Sequence, residues 1–334
     1  MDVMPPPVQM VQLLAGFQVS QALYAAAKLG IPDRLADRPR SAPELAGLVQ
    51  ADPNGVARLL RTLTAFNVVT RDGDTYSLTP LGDTLRSDTT GSMRDLALMW
   101  METHYGPFER LVDTVRTGVP AATDYYGRPF FDWLATDPAR VEQFSGAMAN
   151  LTNGIKAGAI ASYDFGTPRN VIDVGGADGT LLAHVLTRLP DTSGLVYDLP
   201  HVVEAVTAVA KQNALEQRLS GEGGDFFHHV PSGGDLYVLS LVLHDWNDPE
   251  AGKILANIAA AAPPGTPVRA LELVVPDNDA MHMAKMVDLT MLGMLTGRER
   301  DQHEMRRLFT SAGLVFDRIV PTPTPLSFIE AHTA

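Results

Sequence analysis

The stretch NVIDVGGADGTLLAHVLTRL, residues 170–189, joins a short apolar run, a glycine turn and a helical pattern. Residues 170–174 read as a buried strand and 179–189 as a helix. The same order repeats downstream. GLVYDL is a second strand, followed by a helix over 201–212. DLYVLSLVL is a third, followed by a helix over 249–262, and PVRALELVV is a fourth. Helices follow at about 281–295 and 302–312, the latter closed by Gly313. LVFDRIV and PLSFIEAH end the chain with no helix between them. This alternation predicts an α/β fold with a doubly wound, mostly parallel sheet and an antiparallel C-terminal edge hairpin.

Upstream the pattern is helical. Leu13, Phe17, Leu23 and Ala27 share a helix face, and Gly30 sits where a helix C-terminus belongs. SAPE at 41–44 is a capping box, with Ser41 and Glu44 as its members. Asp52 and Pro53 open a helix whose apolar face is Val56, Leu59, Leu60, Leu63 and Phe66. Two β-rich runs around Asp72-Gly73 then read as a hairpin. Two short helices and a hairpin predict a winged helix, in a domain spanning 1–95. Its second helix offers only Arg58 and Arg61 to a DNA groove, and its wing sets Arg71 against Asp72 and Asp74. That footprint is poor for nucleic acid, so a structural or dimerising role is expected. Residues 96–334 form the second domain. It begins with helices rich in Met and aromatic residues, side chains that serve helix packing first and apolar ligand pockets second.

Composition narrows the function classes. The chain has 334 residues, 45% of them hydrophobic, a formal charge of −13 and no cysteine. An acidic surface disfavours a phosphate backbone as partner. Thiolate catalysis, disulfides and Cys-ligated zinc are excluded. No apolar run reaches the roughly 18 residues of a membrane span. The segment MDVMPPPVQM lacks the basic and apolar regions of a secretory signal, so the cytoplasm is the expected compartment.

Ligands of such sheets bind beyond the carboxyl ends of the strands, which directs attention to the loop Gly175-Gly176-Ala177-Asp178-Gly179. Glycine-rich turns alone are weak signals. A dinucleotide needs a bare helix N-terminus for its pyrophosphate. Here Asp178 occupies that place and Asp173 is near it, so the loop suits a cationic ligand. S-adenosylmethionine carries a sulfonium and an ammonium and no phosphate. Asp198, ending the second strand, has the offset at which a carboxylate meets a ribose diol. In GGDFF, Asp225 and Phe226 suit an adenine amino group and ring.

The remaining conspicuous segment is LSLVLHDWND, 239–248. It begins as a core strand and breaks into His244, Asp245 and Trp246. An isolated strand-end histidine is most often bonded to backbone. His228 and His229 read as solvated loop residues, without metal-ligand spacing.

VIDVGGADG, YDLPHVV, GDFF, VLHDWND, LELVVP and GRERDQHEMRRLFTSAGL occur in the order found in class I S-adenosylmethionine-dependent O-methyltransferases. The chain resembles the caffeate/hydroxyindole type and its bacterial secondary-metabolism branch over nearly its whole length. The resemblance implies a Rossmann-like methyltransferase sheet, an α-helical winged-helix dimerisation domain, a homodimer and no metal. It implies His244 as catalytic base, with Glu272 and Glu299 holding it. It implies a cofactor site of Asp173, Gly175, Gly176, Asp198, Leu199, Gly224, Asp225, Phe226, Ser240, Asp245 and Trp246. Phe144, Met148, Met291 and Met294 are implied pocket residues. Ala177 replaces a glycine common in the loop. Ser240 stands where plant members often have a cofactor-contacting lysine, and Asp301 replaces the usual threonine after GRER.

The expected function is methyl transfer from S-adenosylmethionine to a hydroxyl of an aromatic or polyketide small molecule. A phenol, with a pKa of about 10, needs a base near neutrality, and imidazole suits. A carboxylate on the other ring nitrogen fixes the tautomer. The alternatives are N- or C-methylation or a non-methylating reaction on the same scaffold, a ligand-responsive DNA-binding protein, and a nicotinamide dehydrogenase.

Overall fold

The structure is a computed structural model that describes residues 4–334. Met1–Val3, part of both the expected first domain and the segment read for a signal, lie outside the described residues. The chain forms two compact units, divided differently from the expected boundary at 95/96. The first runs to Gly106 and also includes Glu142–Gly154; the second holds Pro107–Val141 and Ile155–Ala334. Contacts made by 142–154 tie this stretch to the first unit, information that helical periodicity does not carry.

In the first unit, helices Pro6–Leu14 and Gly16–Lys28 lead to the short strand β1 (Arg40–Ser41). Ser41 and Glu44 form the capping box of helix Ala42–Val49, and the Asp52 side chain caps helix Pro53–Ala65. Strands β2 (Val69–Asp72) and β3 (Thr75–Leu78) pair antiparallel, and β1 adds to β3. The hairpin turn is centred one residue later than expected, on Gly73-Asp74. Asp72 pairs with Thr75 and Gly73 takes the positive φ of 56°. Leu45, Leu60, Leu63, Val68 and Tyr76 form the buried core of this winged helix.

In the second unit the large sheet contains β4 (Asn170–Val174), β5 (Ser193–Asp198), β6 (Leu219–Gly223), β7 (Leu236–Ser240), β8 (Pro267–Val275), β9 (Arg300–Asp301), β10 (Leu314–Pro321) and β11 (Leu326–Thr333). Their order is β10-β11-β8-β7-β4-β5-β6, with β9 paired to β8. β4 to β8 are parallel neighbours, and β11 runs antiparallel to both β8 and β10. β6 was not expected. Its sequence, LSGEG, is exposed after Leu219 and has no β-branched residue, so it carries neither the apolar run nor the residue types that signal a strand. The helix expected over 201–212 is two pieces, Pro200–Val203 and Val206–Gln212. The sheet's two faces are covered by separate apolar clusters, one with Ile254, Leu255, Ile258 and Phe309, the other with Leu182, Val185, Leu186 and Ile160. Asp301 caps helix Gln302–Ser311 in a capping box with Glu304. Aspartate is as good an N-cap as threonine, which explains the tolerated departure.

Candidate active site

β7 ends at Ser240, three residues before the apolar run does. Glu272, within β8, ends it. Its Oε1 accepts hydrogen bonds from the backbone N–H groups of Val242 (3.2 Å) and Leu243 (3.0 Å), which therefore leave the sheet ladder. Leu241 takes a left-handed φ of 53° at this corner. A single 3-10 turn, Leu243–Asp245, then presents His244 in a buried position.

The Nδ1 of His244 lies 2.7 Å from Glu299 Oε1, and its Nε2 lies 3.4 Å from Asp245 Oδ1. A carboxylate accepts from N–H, so Glu299 assigns the proton of a neutral ring to Nδ1 and leaves the Nε2 lone pair free. Glu272 departs from the expected role: it binds the backbone before His244 rather than the ring. One ligand atom from each of His244, Glu272 and Glu299 lies within 4.8 Å of the others. That spacing also fits a metal ion: the Oε1 atoms of both glutamates are engaged by protein donors, while their Oε2 atoms are buried without a partner.

Several supporting residues were not anticipated. Glu299 N–H donates to Asp288 Oδ1 at 2.9 Å. Arg300, 0% exposed, donates to Leu243 O and Trp246 O, both at 2.8 Å. Its Nε and Nη2 reach Asp248 Oδ1 at 2.9 and 2.8 Å. Asp248 thus holds Arg300, and Asn247 caps helix Asp248–Ala261 in a capping box with Glu250. Gly297 packs so closely that an added Cβ would lie 1.9 Å from His244 O. Of these, only Asn247 with Pro249 had a legible signal, the helix-start pattern.

The carboxylates here are crowded and dry. Burial opposes a charge on His244, but Asp245 and Glu299 outweigh it and hold the imidazole at a pKa of about 10. Burial pushes Asp173 and Glu272 up to about 7, against the pull of Lys156 and His244 respectively. Burial pushes Asp245 up to about 6 against His244. A carboxyl whose folded pKa is raised binds more protons folded than unfolded, so stability falls as pH rises between the two values. For these three acids the window runs from the ordinary carboxylate range up to about 7. The raised His244 acts in the same sense from 6.5 to about 10. Burial lowers the pKa of His104, to about 4, and of His184, and these two act in the opposite sense below 6.5. The four raised groups outnumber them, so the ligand-free protein is expected to melt at a lower temperature at pH 7.5 than at pH 5. A melting temperature that rises over this interval would contradict the electrostatics of the site.

The glycine loop follows β4. Gly175 has φ 74°, and a Cβ there would meet Val242 Cγ2 at 2.7 Å. Ala177 sits at φ 52°, the left-handed region where glycine avoids a cost of about 1–2 kcal/mol. Asp178 accepts from the N–H (3.0 Å) and hydroxyl (2.8 Å) of Thr180, so the helix start is occupied by a carboxylate, as the sequence required. Asp198 accepts from Ala177 N–H (2.9 Å) and Leu199 N–H (2.7 Å) and retains lone pairs for a further donor. Asp225 is engaged by Phe227 N–H and His228 Nδ1, both at 2.8 Å. Gly224 N–H donates to Asp198 O, joining the β5 and β6 ends. Phe226 and Phe227 meet the Trp246 ring edge-on, at 6.1 and 4.7 Å, and Asn257 holds Phe226 O at 2.7 Å. Both carboxylate oxygens of Asp173 and the Ser240 hydroxyl are buried without a hydrogen-bond partner.

Of the expected pocket residues, Met291 and Met294 are buried on helix Met283–Met294 in the second unit. Phe144 and Met148 are half-buried on helix Pro138–Leu151, in its portion belonging to the first unit.

A parallel sheet with an acidic glycine loop, a carboxylate ending its second strand and a buried histidine–glutamate pair at its carboxyl edge defines a methyltransferase of the nucleoside-sulfonium class. Residues 108–315 match the O-methyltransferase domain family and residues 11–88 the O-methyltransferase dimerisation domain family. The chain belongs to this O-methyltransferase family, and its cofactor is S-adenosyl-L-methionine. It is similar to the phenazine O-methyltransferase PhzM of Lysobacter antibioticus, 36% identical over 97% of this chain and 95% of that protein. An 8-amino-8-demethylriboflavin N,N-dimethyltransferase of Streptomyces davaonensis is 33% identical over 94% of this chain and 92% of its own length. Among solved structures, the neocarzinostatin-biosynthesis O-methyltransferase bound to S-adenosylmethionine and 2-hydroxy-5-methyl naphthoic acid has a TM-score of 0.79. It is 34% identical, with 95% of this chain and 96% of that one covered. The dimerisation domain family is matched over the winged helix of the first unit.

Proposed function

We propose that the protein methylates a hydroxyl group of an aromatic or polyketide small molecule, with His244 taking the hydroxyl proton. The His244–Glu299 pair carries this reading. Glu299 fixes the proton on Nδ1, orients the ring and stabilises the imidazolium that forms, while Nε2 accepts the proton. Glu272 positions the turn that delivers the ring. When bound, S-adenosylmethionine supplies the methyl group on an electrophilic sulfonium, whose positive charge also opposes protonation of His244.

The residues that fit the cofactor are Asp173, with its unfilled oxygens, for the ammonium, and Asp198 for the ribose hydroxyls. Gly175, Gly176, Leu199 and Gly224 frame the loops, Ser240 and Asp245 line the β7 end, and Asp225, Phe226 and Trp246 flank the adenine. Met291 and Met294, on helix Met283–Met294, remain pocket residues of this proposal.

We further propose a cytoplasmic homodimer with no nucleic-acid partner. The dimerisation match and the exposed Val11, Leu13, Leu14 and Phe17 on its first helices support the homodimer. No helix of the described residues is long and apolar enough to cross a membrane.

The acceptor assignment is tested by following a labelled methyl group into paired phenols and anilines and into polyketide hydroxyls, by mass spectrometry. Label on oxygen is expected. Label confined to nitrogen or carbon, or no transfer across the hydroxyl panel, would overturn it.

A further inference from the structure

Lys156 is one of two buried basic Lys or Arg side chains among the described residues; the other is Arg300. Arg300 is saturated with hydrogen bonds. Lys156 makes none. It ends the π-helical segment Thr152–Lys156, an irregularity that is frequent at functional sites. The charges that face it are the carboxylates of Asp173, Glu272, Asp178 and Asp245. Two of these residues carry three buried, unfilled acceptor atoms, both Asp173 oxygens and Glu272 Oε2, and the Ser240 hydroxyl at the end of β7 is likewise unfilled. A lysine ammonium has three donors, and on a residue that is 7% exposed and surrounded by acids they remain available to a ligand.

We infer that Lys156 is the cation that receives the α-carboxylate of S-adenosylmethionine, in place of a lysine at the Ser240 position. This inference rests on the cofactor assignment and extends it to a residue outside the resemblance. The cofactor has one anionic group, and the surrounding protein groups are acids, which repel it. Ser240, at the end of β7, offers a hydroxyl and no charge. Lys156 brings the missing positive charge from the helical segment preceding β4, near Asp173 and the glycine loop. The cofactor ammonium then meets Asp173 while its carboxylate meets Lys156, so opposite charges alternate across the site.

The test is calorimetric binding of S-adenosylhomocysteine and of its carboxyl methyl ester to the whole protein. In the unaltered protein, esterification is expected to weaken binding roughly ten- to hundredfold, the range for one charge-assisted contact. Lys156→Met and Lys156→Gln are expected to bind the acid as weakly as the unaltered protein binds the ester, and to discriminate little between the two. Lys156→Met together with Ser240→Lys is expected to recover the preference for the acid. Equal binding of acid and ester by the unaltered protein overturns the inference without any variant. So does a Lys156→Met protein that keeps the full preference. If neither ligand binds the unaltered protein, the cofactor assignment itself fails, which is a distinct result.

Discussion

Replacing His244 by alanine or glutamine is expected to lower kcat by about 10²- to 10⁴-fold, the usual contribution of a general base. S-adenosylhomocysteine should bind both variants within a fewfold of the unaltered protein, because the ring is assigned to the proton and not to the cofactor. The pH profile gives a second readout. Only neutral imidazole accepts a proton, and the surrounding carboxylates hold His244 at about 10 in the ligand-free site. The value of kcat/KM should therefore climb with pH toward that range. The variants should retain only the part of the rise due to ionisation of the acceptor itself. Full activity in both variants would remove the proton-transfer role, and so would loss of activity accompanied by loss of S-adenosylhomocysteine binding.

Arg300→Met is expected to destabilise the protein by about 3 kcal/mol, measured by urea denaturation. The guanidinium serves two carbonyls on either side of the catalytic turn, Leu243 O and Trp246 O, and both lose their donor. The ion pair with Asp248 contributes little, because that carboxylate is 59% exposed and screened by water. Arg300→Lys keeps the charge but not the planar fork, and one ammonium cannot reproduce donors fixed in three directions. It should recover only part of the stability. In both variants kcat should fall as well, since the turn between Leu243 and Trp246 sets where His244 stands. A stability within 0.5 kcal/mol of the unaltered protein, with normal kcat, would show that the turn holds itself without Arg300.

These two residues differ in how visible they are along the chain. His244 stands out because polar residues interrupt an apolar strand. Arg300 is one basic residue among several in GRERDQHEMRR, where charge ordinarily means a solvated surface. Its burial follows from β9 docking on β8, with Val274 paired to Arg300. Lys156 is hidden in the same way within a helical stretch. Glu272 was expected to hold the histidine ring, and its use of backbone donors was not legible, because that depends on where the β7 ladder stops.

The sequence by itself determined the alternation of strands and helices, the antiparallel final hairpin, the winged helix and the acidic glycine loop. All of these depend on local periodicity, turn chemistry or short motifs, and neighbouring residues are enough to specify them. Only the tertiary structure decided the edge strand LSGEG, the transfer of 142–154 to the first unit, the division of labour between Glu299 and Glu272, and the burial of Arg300 and Lys156. Those features depend on which side chains meet across residues far apart in the chain. A charged group reads the same in sequence whether it faces water or a dry cluster of carboxylates; packing alone distinguishes the two, and with them the group's pKa and its use.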